Sequence, residues 1–120
     1  METKPKNADE YAITQVAETG EGYEVHWRCP NERHPKERGD WIGVFKQEPR
    51  SRSDAHYAQW LPQPSFSPIS TDQHRGSLVI PVKGTARKPD LWVAYCHHYG
   101  HGPMAWTPVA YVQVRTLSGD

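Results

Sequence analysis

RGDWIGVF, residues 38–45, turns within one residue from a charged loop into an almost unbroken apolar run. Trp41, Ile42, Gly43, Val44 and Phe45 leave no polar face on an extended segment. A strand over 41–46 is therefore predicted to be central, with neighbours on both sides. Gly43 inside it implies close packing or a bulge.

Working outward, the flanking segments have the same strand character. Gly22 to Cys29 alternates: Tyr23, Val25, Trp27 and Cys29 share one face, and Glu24, His26 and Arg28 share the other. That is the pattern of a half-buried strand. Gly20-Glu21-Gly22 is a turn signal, and Tyr11 to Val16 is the strand before it. Downstream, Tyr57 to Leu61 reads as a strand, and Pro62 to Ser70, with three prolines, as irregular. Gly76 to Val82 points Leu78, Ile80 and Val82 inward, and Pro81 places it at an edge or a strand end. Leu91 to Tyr99 is the strongest strand, and Val109 to Leu117 closes the chain with Val112 and Val114 on one face. Seven or eight short strands separated by turns, with no helical period, predict an all-β, immunoglobulin-like antiparallel β-sandwich. One domain is expected over 10–117, with a flexible N-terminus at 1–9 and a tail at 118–120.

The chain has 120 residues and is 36% apolar, with five Trp and six Tyr that increase the area each buried side chain removes from water. Its 14 basic and 14 acidic residues cancel. Such a balance argues against nucleic acid as a partner, because non-specific binding needs a basic face. No apolar stretch approaches the ~20 residues of a membrane span. The opening METKPKNADEYA has no apolar signal region, so a cytoplasmic protein is expected.

Trp41 follows Cys29 and precedes Cys96 in an order like that of immunoglobulin domains, where a tryptophan of the third strand fills the core between bonded cysteines. A disulfide and two reduced thiols both fit the order. The parity favours reduced thiols: Cys96 shares its face with Ala94 and Trp92, while Leu91, Val93 and Tyr95 form the core face.

Several blocks together resemble the SKICH domain family. Asp40-Trp41-Ile42-Gly43-Val44-Phe45-Lys46 is similar to its pattern of Asp-Trp-Ile-Gly, a hydrophobic pair and a basic residue. Ser51 to Trp60 resembles its Ser/Thr-rich stretch ending in Trp, and Tyr23 to Trp27 its strand before a charged loop. Leu91 to Tyr99 resembles its Cys-containing aromatic strand, and Ala105-Trp106-Thr107-Pro108-Val109 the approach to its last strand. Gln47-Glu48-Pro49 departs from the family's usual Gly-Trp. The resemblance spans roughly residues 11 to 115. It implies an immunoglobulin-like sandwich that binds a partner protein as an adaptor and has no active site.

Arg38-Gly39-Asp40 as an integrin ligand requires an exposed loop tip, yet Asp40 abuts a buried strand. His97-His98-Tyr99-Gly100-His101 is dense in imidazole, and His34, His56 or His74 are further ligands if they converge. His97 and His98 point to opposite faces of a strand, however, and no regular ligand spacing is present, so no metal or other cofactor is expected. No nucleophile sits in a catalytic signature, and none of Cys96, His97 and His98 is placed to activate another, so no enzyme is expected. Tyr57, Trp60, His97, His98, Tyr99, His101 and Trp106 form the candidate binding surface. Aromatic side chains suit protein partners and the apolar faces of sugars, so a lectin-like carbohydrate-binding sandwich is the alternative.

Overall fold

Backbone pairing in the computed structural model follows the predicted alternation. The model describes residues 11–46, 48–49, 66–82, 90–98 and 106–114. Among them seven strands form: β1 (Ala12–Glu18), β2 (Gly22–Arg28), β3 (Trp41–Phe45), β4 (Phe66–Pro68), β5 (Arg75–Pro81), β6 (Trp92–His98) and β7 (Trp106–Gln113). They make two antiparallel sheets, β1-β2-β5 and β4-β3-β6-β7. The chain crosses between sheets after β2, β4 and β5, giving an immunoglobulin-like sandwich. In constant-type immunoglobulin domains the fourth strand joins the first sheet; here β4 joins the second, beside β3.

The β1–β2 turn is held by Thr19. Its hydroxyl accepts from the N–H groups of Glu21 and Gly22, both at 3.1 Å, as a local side-chain turn does. The inner faces of the two sheets supply one core. Val25 and Trp27 of β2 and Ile80 of β5 face Ile42 and Val44 of β3 and Val93 and Tyr95 of β6, all at most 2% exposed. Each such side chain contributes roughly 1.5–3 kcal/mol by leaving water. As predicted, β3 is central, and Pro81 ends the edge strand β5.

The structure corrects four expectations. Trp41 does not fill the inter-sheet core. Its face, shared with Gly43 and Phe45, is the outer one, while Ile42 and Val44 point inward. Trp92 is on that outer face too, and among the described side chains the core tryptophan is Trp27, edge-on to Tyr95 with ring centroids 6.0 Å apart. The apolar run from Trp41 misled because β3 is buried on both sides, which hides the parity. A short strand, β4, lies within the stretch read as irregular, because Phe66–Pro68 can pair at a sheet edge where Pro68 need not donate. The charged loop 30–40 contains one helical turn, α1 (Pro35–Arg38), and β7 begins three residues before its predicted start. The strand expected over Tyr57–Leu61, the N-terminal segment 1–9 and the tail 118–120 lie outside the described residues.

Both cysteines are free and buried. Cys29 belongs to the main core, and Cys96 to a second cluster on the outer face of the four-stranded sheet, as the parity of β6 predicts.

Candidate functional site: a buried ionic hub and an aromatic sheet face

The tripeptide Arg38-Gly39-Asp40 is a helix stop that delivers a buried carboxylate. Pro35 starts α1 and Arg38 ends it. Gly39 then takes φ 82°, the left-handed conformation natural to glycine, and its N–H bonds to the Pro35 and Lys36 carbonyls. The Asp40 N–H also reaches the Pro35 carbonyl, at 2.9 Å. This turn aims the Asp40 side chain into the protein, where it is 0% exposed. An integrin-type role would need that carboxylate in solvent.

Four donors converge on Asp40. Arg33 grips it with two nitrogens, Nε to Oδ2 at 2.8 Å and a terminal nitrogen to Oδ1 at 2.5 Å. The Tyr95 hydroxyl donates to Oδ2 at 2.6 Å, and the His98 N–H to Oδ1 at 2.9 Å. Arg33 also donates to the His98 carbonyl at 2.7 Å, so one ion pair ties the 30–40 loop to the end of β6. A bidentate, charge-assisted pair fixes geometry as well as energy. The hydrogen bond to Asp40 holds the Arg33 pKa up. Burial, followed by the Asp40 contact, pushes the Tyr95 hydroxyl far above its ordinary range, so it remains a donor.

The predicted histidines are divided by this hub. His97 turns toward β1, where Nδ1 and the Tyr11 hydroxyl lie 2.9 Å apart. Burial, then the charges of Arg33, Arg38 and His98, lowers the His97 pKa, with Asp40 opposing. His98 faces the other way, beside Gly39, and serves the hub through its backbone. Trp106 opens β7 opposite His98, its side chain outside the described set. Tyr57, Trp60, Tyr99 and His101 also lie outside the described residues. Among the described residues no group of three His, Cys, Asp or Glu side chains is placed to hold a metal. No helix there is long and apolar enough to cross a membrane.

Beside the hub lies an open concavity of about 760 Å³, whose lining includes Tyr11, Glu32, Arg33, His34, Glu37 and Arg38. Its charges are mixed, and Arg33 is already committed to Asp40. Cys29 lies beside Tyr95 of the hub, and burial raises the pKa of both Cys29 and Cys96, away from the reactive thiolate.

The second feature is the outer face of the four-stranded sheet. Phe45, Ala94 and Cys96 are its buried floor, with partly buried Trp41, Trp92 and Tyr111 packed around them. Trp41 stacks with Phe45 at 6.4 Å between centroids and meets Phe66 edge-on at 5.5 Å. Trp92 meets Tyr111 edge-on at 6.0 Å. Gly43 makes this packing possible, because a Cβ there would sit 2.6 Å from the Trp41 ring. Phe66, on the edge strand β4, is 50% exposed. The parity of β6 already set Trp92 apart from Val93 and Tyr95, but sequence reasoning gave Trp41 to the core; strict parity with Ile42 was the signal that separates it. Arg33 was not singled out, since one arginine in PNERHPKERGD carries no mark of its partner seven residues on.

Compared with family models, curated proteins and solved structures, the chain has no match.

Proposed function

We propose that this domain is a non-enzymatic protein-interaction module, as the SKICH resemblance implies, and that its contact surface is the outer face of the four-stranded sheet. One observation carries the reading. A two-layer sandwich needs one core between its sheets, yet this one builds a second apolar cluster outside them, rimmed by Trp41, Trp92, Tyr111 and the half-exposed Phe66. Aromatic anchors around a dry floor are what protein interfaces use for most of their binding energy. Two buried reduced thiols suit a cytoplasmic setting.

The test is affinity capture with the tagged domain, its Phe66→Lys variant and a Gln15→Lys control on the opposite sheet. A single protein retained in near-equal amount by the wild type and the control, and lost with Phe66→Lys, supports this reading. A partner bound equally by all three removes the sheet face from it. Several glycoproteins released together by one free sugar would favour carbohydrate binding instead.

A further inference from the structure

Among the described strands there are four sheet edges, and three carry features that discourage pairing. β1 and β7 each lie in a ladder with a register shift, between Ile13 and Gln15 and opposite Tyr95/Cys96, and β4 is three residues long. Bulges and shortness are standard protections of a sheet edge. β5 differs: it is seven residues long and pairs with β2 in unbroken register from Gly22↔Pro81 to Arg28↔Arg75.

Hydrogen bonds just beyond the ends of that ladder fix which backbone groups face β2. The Val82 N–H donates to the Glu21 carbonyl at 3.0 Å, and the His74 carbonyl accepts from the Cys29 N–H at 2.8 Å. Residues of the same parity, Gly76, Leu78 and Ile80, therefore also face β2. Arg75, Ser77, Val79 and Pro81 direct their backbone groups away from the sheet. Pro81 thus lacks an N–H at a position where none is needed, and it blocks the far end of the edge. The exposed side chains of Arg75, Ser77 and Val79, the last at 37%, flank what is left.

We propose that β5 is a self-association edge, at which a second copy of this chain pairs antiparallel about a two-fold axis at Ser77. In that register Ser77 faces its own copy and Arg75 faces Val79 of the other chain. All three pairs have backbone groups that face each other, so each exchanges two hydrogen bonds. Shifting the axis to Leu78 would place Pro81 opposite Arg75 and lose a donor. The Ser77 register sets no arginine against an arginine, and a formal net charge of zero leaves no overall repulsion between copies. On the inner side, Leu78 comes to lie opposite Gly76 of the partner. The contact is isologous and closes on itself as a dimer. Its small area sets a dissociation constant on the order of tens of micromolar. This edge is separate from the aromatic face and does not depend on the interaction reading.

Sedimentation equilibrium across that concentration range tests it, with circular dichroism to verify that each variant folds. The wild type is expected to be a concentration-dependent dimer. Val79→Lys places two lysines against the two Arg75 side chains and should weaken the dimer about tenfold, whereas Val79→Glu should tighten it by a similar factor. Arg75→Glu combined with Val79→Lys should restore pairing. Ser77→Pro removes an outward N–H that β2 does not use, so it should abolish the dimer while the fold is kept. Phe66→Lys should leave the dimer intact. A wild type that is monomeric at every concentration overturns the proposal, as does a dimer indifferent to Val79→Lys and Ser77→Pro.

Discussion

Asp40→Asn is the substitution through which the architecture is most directly tested. It keeps the shape and removes the charge. Asp40 is 0% exposed and accepts from Arg33 twice, from Tyr95 and from the His98 backbone. An asparagine has one acceptor oxygen, and its NH2 would face donors on the other side. The Arg33 guanidinium would be left largely out of water, with its side chain 10% exposed, and with no counter-charge. Breaking one partner of a buried pair costs about 3–5 kcal/mol, and the part of the Arg33 side chain that water still reaches places this case toward the lower end. A domain of this size has about 5–15 kcal/mol in total. The loss should appear as a fall in Tm of about 10–15 °C by circular dichroism, with a matching fall in the urea midpoint at unchanged m-value. A double-mutant cycle with Arg33→Met isolates the pair, and the double variant should recover about 2 kcal/mol relative to the sum of the singles. A loss under ~1 kcal/mol for Asp40→Asn, or a coupling near zero, would refute the view that this ion pair holds the 30–40 loop to β6.

Three further outcomes follow from the same structure. The lowered pKa of His97 means that the unfolded chain takes up this proton first as pH falls below 6.5. Stability from this group is therefore whole above that value and declines below it, more gently than the one-proton limit of ~1.4 kcal/mol per pH unit because the ring is partly solvated. Denaturant midpoints from pH 7.5 to 5 should show a decline that His97→Gln reduces. At the alkaline end the raised pKa values of Cys29, Cys96 and Tyr95 favour their neutral forms in the folded state, so stability is whole below about pH 9 and falls as pH rises through the unfolded values. Tyr95→Phe should cost about 1–2 kcal/mol at pH 7 by removing one donor to Asp40, and should flatten the decline above pH 10. Gly22→Ala would drive a Cβ into the Ile80 carbonyl and the Val82 N–H of β5. It should lower stability by about 1–3 kcal/mol in urea melts, and no effect would mean that β2 and β5 separate there without cost.

The alternation of Tyr23, Val25, Trp27 and Cys29, and of Val93 and Tyr95 against Ala94 and Cys96, contained the sandwich and the separation of the two thiols. Period-two patterning is local, and it survives any arrangement that buries one face. The candidate site was only partly legible. His97 and His98 were correctly put on opposite faces, but the use of the His98 backbone by Asp40 and Arg33 arises from a contact 58 residues apart in sequence. Gly39 is readable as a turn residue; that it ends a helical turn is not, since Pro35–Arg38 is too short to show a period.

What the sequence determined by itself is the position of the longer strands β1, β2, β3, β5 and β6 and, within each, which residues share a face. Side-chain direction along an extended chain requires no partner. Which face is inner was decided only by the tertiary structure. In β3 both faces are apolar, and the two sheets had to meet before Ile42 and Val44 became core and Trp41 and Phe45 an outer surface. The same holds for the ionic hub and for the open edge of β5. Each rests on distant segments brought together by strand order, and strand order is set by how the layers bury their apolar faces against each other.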